Sequence, residues 1–371
     1  MSREVSSCSD IITTDIAIIG GGNAGITLAS KLNYHNTVVL EPKTPEERDV
    51  SWALWVQRNQ QNKLAKAAQG SWDQWRLIDH NREILHKSNQ YLYTSLSSAA
   101  FLQRCEDKLP SSNTLIRDFA ENIVSDGPGG HFTVSGQKYS AKYIYDSRPP
   151  KMAETGLKQH FLGIEISTKE TIKDSHIATL MDFRVDQSRG LHFIYALPLS
   201  DRKLLIESTM ISETLEPQAW YQKAIYRWLS KQSIDIDKVI REENGVIPMH
   251  DAVPLDNSLA SIGSASGAVR LSSGYAFTNI QAQITQLAEG INRGDFKVPQ
   301  AISSHLTQLD KIFNGVLLSE PSLGVSLMMQ TAGALNADAF ARFMLGKATV
   351  FDWTKVILAM PKIPFIKQVL R

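Results

Sequence analysis

The run DIAIIG (Asp15–Gly20) is almost unbroken in its apolar character, as in a strand buried on both faces, and glycines follow it at once. ITLASKL (Ile26–Leu32) then returns apolar side chains at helical spacing, and TVVLE (Thr37–Glu41) reads as a second buried strand. Together they predict one β-α-β unit. The segment Val50–Trp75, rich in Trp, Gln and Lys, shows no strong strand pattern and reads as helices or long loops. From His160 to Met210 four strand-like runs, HFLGIEIST, ATLMDFRV, GLHFIYALPL and RKLLIESTMI, are separated by Asp, Ser, Arg and Gly, which predicts an antiparallel sheet. Glu216–Lys231 is helical in composition, GVIPM and LASIGSA return to short strands, and nearly everything after Gln281 reads as helix. Pro361 and Pro364 should break Phe351–Arg371 into two short helices carrying Val356, Ile357, Met360, Ile363, Phe365, Ile366, Val369 and Leu370.

This pattern predicts an α/β protein: a Rossmann-like fold with an inserted antiparallel-sheet domain and a helical C-terminal region. The expected division is a discontinuous nucleotide-binding domain (1–50, 95–155 and 240–300), substrate-binding insertions (51–94 and 156–239) and a helical remainder (301–371). A length of 371 residues accommodates such units, and 43% hydrophobic with 21% charged residues argues against disorder and coiled coils. A net charge of +1 is too small to drive nucleic-acid binding. Two cysteines, Cys8 and Cys105, are too few for a disulfide framework or a thiolate metal site, and nine histidines show no clustered spacing, so no metal is expected. MSREVSSCSDIITT has no apolar leader and no uncharged apolar run is long enough to span a bilayer, so the expected location is cytoplasmic.

Gly20, Gly22 and Gly25 form G-x-G-x-x-G between the first strand and the helix. In that context the first glycine makes a tight turn, the second lets backbone approach a diphosphate, and the third lets helix and strand pack closely. Asn23 and Ala24 complete the expected binding turn. Glu41 ends the second strand, placed to accept a hydrogen bond from a ribose hydroxyl. The motif itself does not separate FAD from NAD. Its position near the start, the later antiparallel insertion, and a second glycine-bearing junction at Ile262–Phe277, carrying Gly263, Gly274 and Tyr275, point to FAD.

Five stretches resemble the lycopene cyclase family of flavoproteins: DIAIIGGGNAG; YIYDSRPP; QHFLGIEI with MDFRVDQ and FIYALPL; LLIESTMIS; and EENGVIPM with IGSASGAVRLSSGYAF. The C-terminal FARFMLGKATVFDWTKVILAMPKIPF is similar to bacterial members. Two positions depart from the family pattern. Ser208 stands where a second carboxylate usually follows the glutamate, and Ile164 stands where a tryptophan is common. The resemblance implies a non-redox cyclisation of a linear carotenoid or polyene end group, an isomerase reaction using reduced FAD, with NAD(P)H as reductant of the cofactor. It also implies that Gly263, Gly274 and Tyr275 approach the flavin, the last two through backbone N–H groups.

Such chemistry needs a carboxylic acid that stays protonated near neutral pH, and alternation along Leu204–Ile211 puts Leu205, Glu207 and Thr209 on one face. The residues alone leave Glu207 open between an exposed edge-strand glutamate, half of an ion pair with Arg184 or Lys203, and an acid in an apolar wall. The resemblance selects the acid. Phe193 and Tyr195 are candidates for cation–π stabilisation or ordinary core residues, and Trp52 and Trp55 for a substrate channel or simple helix packing. Asp182 reads as a partner of Arg184, and Asp146 with Arg148 as the organiser of a turn. A polyene comes from a bilayer. Lys355, Lys362, Lys367 and Arg371 against Asp352 beside apolar side chains make Phe351–Arg371 a candidate for peripheral contact with the inner face of the membrane, or else a helix docked on the protein. Two other readings stay open: an FAD-dependent monooxygenase or oxidoreductase on another lipophilic substrate, and a silent flavin- or polyene-binding homologue. The Gly-Asp pair usual in hydroxylases is missing, since Ser264 follows Gly263, and so is the halogenase W-x-W-x-I-P signature.

Overall fold

The computed structural model describes residues 10–370. The chain opens with β1 (Ile12–Ile19), α1 (Asn23–Ala29) and β2 (Thr37–Leu40), with β1 and β2 parallel. Ile16, Ala17 and Ile18 are wholly buried, which explains why this strand has no polar face. Five strands come next: β3 (Ser51–Gln57), β4 (Ala68–Trp72), β5 (Gln74–Ile78), β6 (Glu83–Lys87) and β7 (Tyr91–Ser97), followed by α2 (Ser98–Glu106). Then β8 (Asn113–Ile116), β9 (Glu121–Ser125), β10 (Gly130–Val134) and β11 (Gln137–Asp146) return to the first sheet. The run β12 (Lys158–Thr168), β13 (Ile177–Asp182), β14 (Leu191–Ser200), β15 (Lys203–Ser212), α3 (Gln218–Lys231) and β16 (Ile236–Pro248) builds the second. After the short β17 (Ala260–Ser261) come α4 (Phe277–Ile291), α5 (Ser304–Ser319), α6 (Gly324–Ala334), α7 (Ala337–Met344), α8 (Val350–Ala359) and α9 (Lys362–Val369).

The first sheet has the order β8-β2-β1-β11-β10-β9, with β17 beside β11, and its parallel centre joined through α1 is the Rossmann-like part of an α/β fold. One face carries α1 and α4 over Ile16, Ile18, Val39 and Tyr145. The second sheet runs β16-β12-β15-β14-β13-β5-β6, with β12 to β16 antiparallel to one another and β5 parallel to β13. Its back face packs Leu162, Ile164, Ile206 and Met210 on α3. Its front face turns Leu197, Leu205 and Ile211 toward a third, three-stranded sheet (β3-β7-β4) and the C-terminal helices.

The four strands anticipated between His160 and Met210 are present, as are the opening β-α-β unit and the helical C-terminus. Val50–Trp75 is different: it holds β3, β4 and the start of β5, with one 3-10 helix at Arg58–Lys63. The reason is visible in SWALWVQ. Trp52, Leu54 and Val56 enter one cluster, with Phe101 and Leu102, while Trp55 enters another. A strand covered on both faces shows no polar alternation. Trp52 and Trp55 are therefore on opposite faces of a strand, not neighbours on a helix. At the C-terminus the chain does break at Pro361, but Pro364 sits in the first turn of α9, where a backbone N–H has no helical partner to lose. Among the described residues no single helix is long and apolar enough to cross a membrane; α5 and the segment Pro321–Ala334 pass that test only together, bent by 110°.

Candidate active site

Two regions carry chemistry. The first is a cleft of about 510 Å³ at the carboxyl ends of β1 and β2, bordered by Gly20, Gly22, Asn23, Ala24, Glu41 and Arg48. Gly20 has φ +95°, a left-handed turn closed to most residues, and a Cβ on Gly25 would lie 2.0 Å from the Gly20 carbonyl oxygen. Gly22 has open space where its Cβ would be. The Gly25 N–H donates to Ser147 Oγ at 3.0 Å, which ties this turn to the end of β11. There Asp146 accepts from the Arg148 backbone N–H and guanidinium, the turn-organising role expected of it.

Glu41 Oε2 accepts from the Gly21 N–H at 2.9 Å and Arg48 Nη1 at 3.1 Å, and Oε1 from the Lys43 N–H at 3.1 Å. An ionised carboxylate has about four acceptor sites, so roughly one is left to face the cleft. Asn23 borders the cleft while its Oδ1 accepts from Gln281. A Cβ on Gly263 (φ +70°) would come within 2.7 Å of the Ala24 Cβ, so this glycine allows the second junction to cross the first helix closely. Gly274 departs from the expectation: its N–H donates to the Arg270 carbonyl at 2.8 Å, and it packs on Gln159 and Ile247 rather than bordering the cleft.

The second region lies on the front face of the large sheet. Strand register puts Tyr195, Glu207, Gly163 and Glu243 side by side across β14, β15, β12 and β16. Gly163 makes the middle of this row possible, because a Cβ there would stand 2.9 Å from Glu207 Cγ and 3.2 Å from Glu243 Cγ. The two glutamate side chains therefore meet over a bare backbone. Glu243 Oε2 is held by the Ser51 N–H and by Arg241 Nη1, both at 2.9 Å. Above the row, the Tyr93 hydroxyl bonds to those of Tyr195 at 2.8 Å and Tyr275 at 2.9 Å.

This environment shifts titrations upward. Burial, and then the Glu243 charge, push the Glu207 carboxyl well above the usual carboxylate range. Burial also raises Glu243, against the pull of Arg241 and Ser51. Burial holds Tyr93, Tyr195 and Tyr275 well above 10, so all three stay neutral donors. Neither suggested cation pairs with Glu207. Arg184 binds Asp182, which also accepts from Trp228 Nε1, and Lys203 binds Glu165.

Both departures from the family pattern point away from this chamber. Ser208 is on the back face, hydrogen-bonded to His192 Nε2 at 2.9 Å, and Ile164 is buried under α3. The carboxylate beside Glu207 comes instead from β16. Among the other candidates, Tyr195 and Tyr275 lie at the chamber, with Trp55 packed edge-on to Tyr275 at 5.1 Å. Phe193 packs edge-on to Phe183 at 5.8 Å as a core residue, and Trp52 sits between Phe101 and Phe277 at the border of the cleft. Cys105 is buried beside Thr27, and Cys8 lies outside the described residues.

Beyond the Trp55–Tyr275 cluster, a further cavity of about 480 Å³ is almost wholly apolar. Its floor is Leu77, Met181 and Ile211 of the same sheet face, and its outer wall is α8 and α9. Those helices leave Phe351, Leu358, Ile363, Ile366 and Val369 exposed, while Asp352 is buried, capping α8 and paired with Arg342. Among the described residues no group of three or more His, Cys, Asp or Glu could hold a metal ion.

The family model for lycopene cyclase proteins matches residues 15–369. The chain belongs to the lycopene cyclase family. It is 28% identical to a lycopene beta-cyclase of Pantoea ananas over 50% of this chain and 52% of that protein. It is 23% identical to a chloroplastic neoxanthin synthase of Solanum tuberosum over 76% of this chain and 61% of that one. The chain thus spans about half to three-fifths of the length of these relatives. Among solved structures it is similar to a geranylgeranyl bacteriochlorophyll reductase-like protein of Thermoplasma acidophilum (TM-score 0.63, 12% identity, 97% of this chain and 99% of that one). It is also similar to a flavoprotein/dehydrogenase of Cytophaga hutchinsonii (TM-score 0.60, 14% identity, 96% and 100%). At such identities these structures show the fold.

Sequence reasoning about this lycopene cyclase family member missed Glu243, Gly163, Arg241 and Tyr93. The signal for two of them was present in QHFLG and EENG: a glycine and a glutamate on strands that flank one another. Only the pairing of β12 with β16 makes it legible.

Proposed function

We propose that the protein is a carotenoid cyclase-like isomerase that closes the end group of a linear polyene by acid catalysis, with a flavin dinucleotide in the β1–β2 cleft. The observation that carries this reading is a buried carboxylic acid, Glu207, flanked by another carboxyl and three phenols rather than by a cation of its own. The cleft fits the dinucleotide: Gly22 leaves its backbone open to a diphosphate, and Glu41 retains acceptor capacity for a ribose hydroxyl. A reduced flavin bound there, with NAD(P)H as its reductant, would supply negative charge that favours a cation at the reacting alkene.

The chain's own residues do the rest. Glu207 gives its proton to the terminal alkene, and burial keeps it protonated for that task. The rings of Trp55, Tyr195 and Tyr275 would stabilise a developing cation by cation–π attraction, each worth about 0.5–2 kcal/mol. The apolar walls exclude water, which would otherwise quench the cation as an alcohol. The cavity behind α8 and α9 receives the rest of the polyene, and the exposed apolar side chains with Lys355 and Lys367 rest that end of the molecule on an anionic bilayer.

Purified protein with chemically reduced FAD and lycopene in liposomes, kept without oxygen, should give cyclic product without consuming reductant. A requirement for O₂ would instead mark a monooxygenase. The paired change Leu358→Glu and Ile366→Glu should abolish co-flotation with anionic liposomes; unchanged binding would remove α8 and α9 as the contact.

A further inference from the structure

Glu243 has its two oxygens in different settings. Oε2 is tied down by the Ser51 N–H and Arg241, whereas Oε1 is the oxygen that lies over Gly163, 3.6 Å from where a Cβ would be. Oε1 is thus turned along the row toward Glu207. The charges around it are already matched. Arg241 is shared between Glu243 and Glu165, Lys203 takes the other oxygen of Glu165, and Asp49 approaches Arg241 to 3.9 Å. Among the described residues the other groups facing Glu207 are uncharged: the hydroxyl of Thr209 on its own strand, and the phenols of Tyr195 from β14, Tyr93 from β7 and Tyr275 from the turn before α4. A second negative charge in the row would find no free cation among the described residues.

We propose that Glu243 is the positioning residue of the acid: its Oε1 accepts the Glu207 carboxyl hydrogen across Gly163, so that the two carboxyls hold a single proton between them. This rests on the reading of Glu207 given above and deepens it. In the reaction, the Glu207 O–H bond breaks as a C–H bond forms at the terminal alkene carbon. A second alkene supplies the electron pair of the new ring C–C bond. The pair is now fully ionised and faces the ring cation. Loss of a proton from the carbon beside the cation leaves the C–H electrons as the ring double bond and restores the shared proton. No oxidant or reductant is consumed. Gly163 is a requirement of this device, because any side chain there would part the two carboxyls.

Infrared titration of the full-length protein, read at the carboxylic C=O stretch, tests the pair without relying on turnover. At pH 7 the wild type should show a protonated carboxyl band that Glu207→Gln removes. In Glu243→Gln the like charge is gone, and the titration of that band should move down by about one pH unit or more. The high-pH limb of the cyclisation rate should follow by the same amount. Gly163→Ala, which keeps both acids but drives them apart, should move the band the same way and stands in for Glu243→Gln if that variant does not fold. Absence of the band at pH 7, or a titration unmoved by either variant, would overturn the proposal. A band that behaves as expected in a protein that cyclises nothing would uphold the pair and refute the cyclase reading.

Discussion

Glu165 and Glu207 lie in adjacent rows of one sheet face, on neighbouring strands, and both are buried, yet they are driven in opposite directions. Burial raises Glu165 too, but hydrogen bonds from Lys203 and Arg241 outweigh it and hold the carboxyl below its ordinary value. Glu207, buried as well and more deeply surrounded by protein, has a carboxyl beside it and phenols above. Depth of burial and partner set both differ, and the partners decide the direction for Glu165. One row is a structural ion cluster joining β15, β12 and β16; the next, two residues along, is built so that an acid keeps its proton.

That contrast can be broken at several points. Glu207→Gln should retain flavin absorbance and lower cyclisation by about 10²–10⁴-fold in a single-turnover assay; a near wild-type rate would remove Glu207 from the mechanism. The same variant has a stability signature. Because the folded-state titration of Glu207 is raised, its contribution is present below about pH 4.3 and is lost as pH rises toward the folded value. Melting temperatures should therefore shift in favour of Glu207→Gln as pH increases.

Ser208→Glu restores the family's second acid, but on the wrong side of the sheet, beside His192 under Trp220. It should cost about 2–4 kcal/mol in denaturant unfolding and add no activity, since it buries a charge away from the chamber. Glu165→Gln should cost about 1–2 kcal/mol, a figure discounted because the Lys203 side chain is 43% exposed. Its sign is opposite to that of Glu207: the wild-type advantage is present above about pH 4.3 and fades as pH falls through the depressed folded value. Tyr195→Phe removes one hydroxyl from the tyrosine chain and should slow cyclisation by only a few-fold, with the Glu207 infrared band retained.

Local features of the site were legible in the sequence. Gly20, Gly22, Gly25 and Glu41 belong to one β-α-β unit, and the face of Glu207 follows from alternation within a single strand. Features made by distant pairing were not. Glu243 becomes a neighbour of Glu207 only because β12 pairs with both β15 and β16 across Gly163. The Trp52–Val56 strand escaped notice because both of its faces are covered, which removes the polar alternation that marks a half-exposed strand. The Ser208 and Ile164 departures could be read from sequence as changes, but their side of the sheet only mattered once α3 was seen to cover it.

The central claim is that a proton from Glu207 enters the product, and exchange with heavy water reads this directly. Reduced, flavin-loaded protein equilibrated in D₂O and given lycopene in liposomes without oxygen should yield an isomer carrying one deuterium per ring closed, and Glu207→Gln should yield essentially none. Cyclic product without deuterium, or product that carries oxygen instead, would contradict the account.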